Sequence, residues 1–184
     1  MKIALIGATG RAGSRLAAEL LARGHSITGI VRQIPTDIPA GVTIVQADTI
    51  DPDALAPPLE GHDAVQRAKV TRLLVVGGAG SLEVAPGKAL MDAEGFPEAF
   101  RTEAAAGGRF LAKLRSEPGL DWTFLSPSAD FAPGERTGRF RLGDDRLLSD
   151  AQGESHISME DFAIAMVDEL ERPAHSRRRF TVGY

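Results

Sequence analysis

The stretch that decides the fold is IALIGATGRAG, residues 3–13. Its first four residues are apolar and end at Gly7, a pattern typical of a strand that is buried on both faces of a parallel sheet. Residues 11–23 then place apolar side chains at helical spacing, and Gly24 follows as a helix stop signal. A buried strand, a glycine-rich turn and an amphipathic helix follow one another directly, which predicts the opening unit of an α/β fold.

The remainder of the chain continues this alternation. We predict further strands at 27–31, 42–47, 64–65, 73–76, 122–125 and 180–182, and helices at 51–55, 97–115 and 159–171. Strands that alternate with helices favour one doubly wound parallel sheet, so we expect a single Rossmann-type domain over residues 1–184. Residues 136–150 mix apolar and charged side chains, and we predict a small hairpin there, outside the main sheet on the substrate side.

One connection in this pattern is too short. Only residues 66–72 separate the predicted strand at 64–65 from the next strand at 73–76. A crossover between parallel strands needs about 10–12 residues and normally contains a helix. We therefore predict that the rest of a strand, a loop and most of a helix are missing between Val65 and Gln66, either deleted from the chain or omitted from its numbering.

Composition narrows the class of protein. With 21 Lys and Arg against 25 Asp and Glu, the net charge of −4 provides no basic field for a nucleic-acid backbone. The chain has no Cys, which excludes disulfides, thiolate metal sites and a catalytic thiol, and no His or carboxylate spacing indicates a metal site. No apolar stretch approaches the roughly 18 residues of a membrane-spanning helix. We expect a cytoplasmic protein that acts on a small molecule, without nucleic-acid or membrane partners.

The glycines of residues 7–13 fit a dinucleotide site. In such loops one glycine makes a tight turn, a second lets backbone N–H groups approach a pyrophosphate, and a third allows close contact between helix and strand. Gly7, Gly10 and Gly13 stand in this pattern, and the N-terminus of the following helix favours an anion. The alternative is a glycine-rich turn that no longer binds a cofactor.

The charged residues that follow the second and third predicted strands indicate whether NAD or NADP is the cofactor. NAD enzymes commonly place an acidic residue about 20 residues after the glycine loop, whereas this chain has Arg32 there. A guanidinium can bind the 2′-phosphate of NADP, and Arg11 can reach the same phosphate, so NADP is favoured over NAD. Each arginine has the alternative of a solvated surface charge. Asp48 is expected beside the adenine, with a helix-capping role as an equal alternative.

Longer motifs carry a resemblance to a known family. They are GATGRAG at 7–13, VRQ at 31–33, LLVVGGAGSLEVAPG at 73–87, WTFLSPSADFAPGERTG at 122–138 and RRFTVGY at 178–184. Through them the chain resembles the NAD(P)H-binding, NADH-flavin-reductase-like branch of the atypical short-chain dehydrogenase/reductases, kin to biliverdin and flavin reductases and to NmrA-like sensors. The resemblance covers nearly the whole chain.

This resemblance implies a role for individual residues. It places one group on the pyrophosphate: Gly7, Thr9, Gly10, Arg11, Ala12 and Gly13. It places Arg32 on the adenosine phosphate. It implies two groups at the nicotinamide, with Gly77, Gly78 and Ala79 beside the ring and Ser126, Pro127 and Ser128 on the opposite wall.

One group that is usual in this chemistry is missing. Typical short-chain dehydrogenases use a Tyr-x-x-x-Lys pair to move the proton that accompanies hydride, and the only tyrosine here is Tyr184. A flavin or quinone can take its proton from water, so the sequence favours an NAD(P)H-dependent reductase with such a conjugated acceptor, the flavin serving as substrate. His156 and Ser128 are weak candidates for assisting the acceptor. The alternative function is a non-catalytic NADP(H)-binding redox sensor.

Overall fold

The computed structural model describes residues 1–36, 38–63 and 72–184. Its strands are β1 (Lys2–Ile6), β2 (Ser26–Val31), β3 (Val42–Gln46), β4 (Leu73–Val76), β5 (Glu83–Ala85), β6 (Lys88–Ala89), β7 (Trp122–Ser126), β8 (Asp130–Ala132), β9 (Arg141–Gly143), β10 (His156–Ser158) and β11 (Arg178–Gly183). Its α-helices are α1 (Arg11–Ala22), α2 (Pro52–Leu59), α3 (Glu98–Arg115) and α4 (Met159–Glu171). A 3₁₀ turn covers Leu90–Asp92.

Parallel pairing dominates the described strands, which confirms the α/β class. β1, β2 and β3 form a parallel sheet in the order β1-β2-β3. β4, β7 and β11 are also parallel, and β9 joins β11 as an antiparallel edge, so the second sheet has the order β4-β7-β11-β9. In sheets of this kind ligands bind at the carboxyl ends of the parallel strands.

The predicted single sheet is divided in two over the described residues. Among these residues β1 pairs with β2 alone, and β4 pairs with β7 alone. One side of each strand is therefore without a strand partner. Asp63 approaches the amino end of β1, where its N–H donates to the Lys2 carbonyl and its carboxylate accepts from the Lys2 N–H, both over 2.8 Å. The predicted strand at 64–65 and the predicted break between Val65 and Gln66 lie outside the described residues.

Helices α1 and α4 cover one face of both sheets. Leu16 of α1 and Phe162 of α4 share a core cluster with Leu125 of β7 and Phe180 of β11. A second cluster joins the same two helices to β1, β2 and β3. On the opposite face α2 packs against the first sheet and α3 against the second. Within the described ranges no helix combines the length and the apolar character needed to cross a bilayer.

The hairpin predicted for residues 136–150 is wrong. Arg141–Gly143 instead pairs with the end of β11 and forms the antiparallel edge of the second sheet. The pairing joins segments that are distant in sequence, so the local pattern of apolar and charged residues contains no signal for it.

The helix predicted at 51–55 is longer than expected. It begins at Pro52 and continues to Leu59 in spite of Pro57 and Pro58. A proline lacks the N–H that an interior helical position donates. Both prolines stand in the last turn, so the missing hydrogen bonds shorten the helix at its end and do not prevent it from forming.

A buried ion pair between Arg72 and Glu169 connects the start of β4 to the last turn of α4. Arg72 is 6% exposed and Glu169 is 4% exposed. The Arg72 guanidinium contacts the Glu169 carboxylate directly and donates to the Glu169 carbonyl over 2.9 Å, while His175 Nδ1 lies 2.8 Å from the same carboxylate. Burial raises the pKa of Glu169, but hydrogen bonds from His175 and Arg72 outweigh that effect and hold the pKa below its ordinary value.

Replacing Glu169 should therefore be strongly destabilising. Glu169→Ala leaves the buried Arg72 guanidinium without its hydrogen-bonded counterion, with the Asp121 carboxylate 3.8 Å away, and breaking a buried pair in this way costs about 3–5 kcal/mol. Urea unfolding followed by circular dichroism should show a large drop in the unfolding midpoint. Glu103→Ala, at an exposed position of α3, is the matched control and should stay within about 0.5 kcal/mol of the parent. Equal midpoints for the two variants would refute the role assigned to the pair.

Candidate cofactor site

The glycine turn brings the start of α1 into contact with the end of β1. Gly7 has a positive φ of 74°, and its N–H donates to the Ile30 carbonyl of β2 over 3.1 Å. The Gly10 N–H returns to the Gly7 carbonyl over 2.9 Å. A Cβ on Gly13 would lie 2.0 Å from the Gly7 carbonyl oxygen, so only glycine fits there. Each of the three glycines has a geometric reason to be present.

The N-terminus of α1 is available to an anion. Its N-cap is Gly10, which has no side chain to accept from the helix, and its first turn contains no acidic residue. The first helical hydrogen bond of α1 runs from the Ser14 N–H to the Gly10 carbonyl over 2.8 Å. The N–H groups of Arg11, Ala12 and Gly13 have no acceptor among the described residues. Free N–H groups together with the helix dipole favour a phosphate at this position.

A groove of about 660 Å³ connects the glycine turn to the end of β2. Gly7, Thr9 and Gly10 line it on one side, and Arg32 and Gln33 line it on the other. The Arg32 side chain is exposed and forms no ion pair with the described residues. The residues predicted for the pyrophosphate and for the 2′-phosphate thus line one groove.

A second cleft of about 320 Å³ lies beyond Arg32, between the ends of β2 and β3. Asp48 lines this cleft together with Arg32 and Gln46. Asp48 Oδ1 accepts the Ile50 N–H over 3.0 Å, so the carboxylate closes a local turn. The helix-capping role is filled by Asp51, whose carboxylate accepts from Asp53 at the start of α2 over 2.9 Å. The structure places Asp48 in the same cleft as Arg32, and its position beside the adenine stays a prediction.

The residues predicted beside the nicotinamide lie at the carboxyl ends of β4 and β7. The Gly77 N–H donates to the Leu125 carbonyl over 2.8 Å, and a Cβ on Gly77 would lie 2.0 Å from the Phe124 ring. A Cβ on Gly78 would meet no atom within 4 Å, and Pro127 is buried. Neither of the two clefts described above includes these residues or Ala79. Gly7, Thr9, Gly10, Arg32 and Asp48 are therefore brought together, while the nicotinamide-side set stands apart from them in the second sheet.

The serines on the predicted opposite wall are enclosed. Ser126 and Ser128 are fully buried. The Ser128 hydroxyl donates to the Val182 carbonyl over 3.0 Å, and the Ser126 hydroxyl has no partner among the described residues. Because its single hydrogen is engaged and its surface is closed, Ser128 is badly placed to protonate a substrate. His156, the other weak candidate, is half-buried, and its ring centroid lies 5.0 Å from that of Tyr184.

A buried carboxylate, which the sequence pattern indicates only as part of a helix cap, organises this region. Asp161 is fully buried, accepts the Gly138 N–H over 2.8 Å and accepts the Tyr184 hydroxyl over 2.8 Å. Burial raises the pKa of Tyr184, and donation to Asp161 raises it further. The available signal was the Ser158-x-x-Asp161 spacing, which predicts a helix cap, and Ser158 does accept from the Asp161 N–H over 3.0 Å.

Comparison with known proteins identifies the class. Residues 7–66 match the family model described as NAD(P)H-binding. The chain is 42% identical to the uncharacterized protein YwnB of Bacillus subtilis, over 99% of this chain and 98% of YwnB. That alignment runs over 208 positions, 24 more than this chain has residues. The chain belongs to this NAD(P)H-binding family.

Solved structures share the complete fold. A candidate exported protein from Burkholderia pseudomallei is 45% identical with a TM-score of 0.90, over all of both chains. A candidate epimerase from Bacteroides thetaiotaomicron is 41% identical with a TM-score of 0.94, over 100% of this chain and 97% of that one. A candidate NADH-flavin reductase from Streptococcus pneumoniae is 34% identical with a TM-score of 0.88, over 100% and 99%. The predicted Rossmann-type fold and atypical short-chain dehydrogenase/reductase family are confirmed.

The contact at Gly13 generates a direct test of the site. Gly13→Ala places a methyl group against the Gly7 carbonyl oxygen, so the turn must open and cofactor affinity should fall by at least tenfold. Isothermal titration with NADPH measures the loss. Gly107→Ala in α3 is the matched control, since an added Cβ there meets no atom within 4 Å. That control should keep its affinity and gain about 0.5–1 kcal/mol of stability. Undiminished binding by Gly13→Ala would disprove the packing argument.

Proposed function

We propose that this protein is an NADPH-dependent reductase that passes hydride to a small conjugated acceptor such as a flavin or quinone. The observation that carries the proposal is the groove in which Gly7, Gly10 and Arg32 meet at the N-terminus of α1. Family membership supports a nicotinamide cofactor, and the S. pneumoniae relative, described as a candidate NADH-flavin reductase, supports the acceptor class. The proposal includes a cytoplasmic site of action and a small-molecule substrate, without nucleic-acid or membrane partners.

The preference for NADPH over NADH rests on the charges at the end of β2. Arg32 lines both clefts and offers an exposed guanidinium that the described carboxylates leave unpaired. Asp48, the carboxylate that lines the same cleft, accepts the Ile50 N–H. A guanidinium forms bidentate, charge-assisted hydrogen bonds with a phosphate, whereas the 2′-hydroxyl of NADH offers no charge to bind.

The choice of acceptor rests on which side chains near the predicted nicotinamide position could donate a proton to the substrate. Tyr184 donates its hydroxyl hydrogen to Asp161 and has a raised pKa, whereas the catalytic tyrosine of typical short-chain dehydrogenases needs a lowered one. Ser128 donates its hydrogen to a backbone carbonyl. An acceptor that draws its proton from water suits such a site better than a ketone does.

Cofactor preference is the first test of this proposal. NADPH should bind about tenfold to a hundredfold more tightly than NADH, because each hydrogen bond to a charged group contributes about 1.5–3 kcal/mol. Arg32→Glu should reverse the order, since a carboxylate repels the 2′-phosphate and can bind the ribose hydroxyls. Arg109→Glu, an exposed arginine of α3, is the control for the change of charge and should leave the order unchanged. Equal affinity for the two cofactors in all three proteins would reject the assignment.

Turnover is the second test. Anaerobic stopped-flow mixing of the protein and NADPH with FMN or a quinone should show oxidation of NADPH at 340 nm, and NADP with simple secondary alcohols should give no reduction. His156→Ala should slow the reaction less than tenfold, because water supplies the proton. Complete loss of turnover in His156→Ala with cofactor affinity intact would instead identify His156 as a dedicated acid.

A non-catalytic NADP(H) sensor is the second candidate function, and one observation favours it. Ile6 and Val76, the last residues of β1 and β4, are each 41% exposed. Among the described residues β1 and β4 each lack a strand partner on one side, whereas inner strands of a doubly wound sheet are ordinarily buried on both faces. The exposed ends therefore support a sheet that is interrupted beside the predicted nicotinamide position. The greater length of the YwnB alignment supports the same interpretation. Tight binding of NADPH with no oxidation by any flavin or quinone would favour the sensor.

A further inference from the structure

The described residues of the segment between β2 and β3, 32–36 and 38–41, form few hydrogen bonds with the body of the protein. The β2–β3 ladder ends where Val31 lies beside Gln46 and the Ala47 N–H donates to the Val31 carbonyl over 3.0 Å. One residue further on, Gln46 Nε2 donates to the Arg32 carbonyl over 2.9 Å. The only other hydrogen bond of the described segment lies at its far end, next to β3. The hydrogen bond from the Gln46 side chain therefore restrains the backbone of Arg32, one residue beyond the last pair of the β2–β3 ladder.

We propose that Gln46 is a positioning residue for cofactor selection, which holds Arg32 where its guanidinium can bind the 2′-phosphate of NADPH. The inference rests on the proposed function and extends it to a residue outside the glycine loop. A backbone carbonyl only accepts hydrogen bonds, so the amide nitrogen of Gln46 must face Arg32. Both residues line the same cleft of about 320 Å³, which places the restraint at the site itself.

The effect on affinity follows from conformational entropy. Arg32 and its neighbours Gln33 and Ile34 are exposed, so little packing orders this part of the chain. A backbone that moves freely must be ordered when its side chain binds a ligand, and that ordering weakens binding. The Gln46 bond restrains the Arg32 backbone before the cofactor arrives. NADH has no 2′-phosphate and gains nothing from the position of the guanidinium, so the benefit belongs to NADPH alone.

The test compares affinities for the two cofactors in matched variants. Gln46→Ala removes the donor and should weaken NADPH about threefold to tenfold, the range for one lost hydrogen bond, with NADH changed less than twofold. Gln46→Glu cannot donate to the carbonyl and adds a carboxylate near Asp48, so NADPH should weaken more than tenfold. Gln152→Ala, in an exposed turn, is the control and should match the parent. Equal losses for both cofactors, or none for either, would overturn the proposal.

A double-mutant cycle separates positioning from direct contact. If Gln46 acts through Arg32, Gln46→Ala should have no further effect on NADPH affinity once Arg32→Ala is present. A persistent loss in the Arg32→Ala background would mean that Gln46 contacts the phosphate itself, and positioning would be disproved. The parent protein distinguishes this failure from failure of the proposed function. No NADPH preference in the parent rejects the cofactor assignment, whereas an intact preference with an unchanged Gln46→Ala rejects only the role of Gln46.

Discussion

The contact between the start of α1 and the carbonyl of Gly7 governs the geometry of the cofactor site. At Gly13 a side chain of even one carbon would lie 2.0 Å from that oxygen, so the helix can approach β1 only with glycine in place. The approach sets the first turn of α1 directly beyond the carboxyl end of β1 and leaves its N–H groups available. The opening of the first turn of α1 toward this end of the sheet, and the path of the groove toward Arg32, both follow from it.

The same helix also holds the second sheet. Leu16 belongs to the core cluster of Leu125 and Phe180, which come from strands that pair with none of the first three. Polar contacts add to this packing, since Arg15 of α1 lies 3.1 Å from Glu160 of α4. Side-chain hydrogen bonds from Arg136 and Arg23 lower the pKa of Glu19 on the same helix, in spite of its burial. Helix α1 therefore contacts both the glycine turn and the segments that follow β7.

The sequence predicted those parts of the molecule that short-range physics specifies. The glycine turn and helices α1 and α4 could be predicted from the sequence, because helix capping, hydrophobic spacing and steric fit all depend on residues that are close in the chain. The pairing of Arg141–Gly143 with β11 was missed because it is decided by which edge remains open after the sheet has formed. The Asp161 network was missed for a related reason, since its donors Gly138 and Tyr184 come from two separate loops. The position of Arg32 at the groove could be predicted because Arg32 directly follows β2, and the carboxyl ends of parallel strands lie at the ligand-binding edge of such sheets.

The residues predicted to bind the cofactor phosphates and those predicted beside the nicotinamide belong to different sheets. The described clefts are built by the first sheet and the loops that follow it, within residues 6–50. The end of β4 carries Gly77, whose Cα lies against the Phe124 ring, and Gly78, where an added Cβ would meet no atom within 4 Å, so neither residue supplies an acid or a base. Nearby hydroxyl groups are enclosed or engaged with acceptors of the protein. A substrate that requires a proton at the moment of hydride transfer would be poorly served by such a surface. A conjugated acceptor, which spreads the added charge until water protonates it, requires only space and orientation.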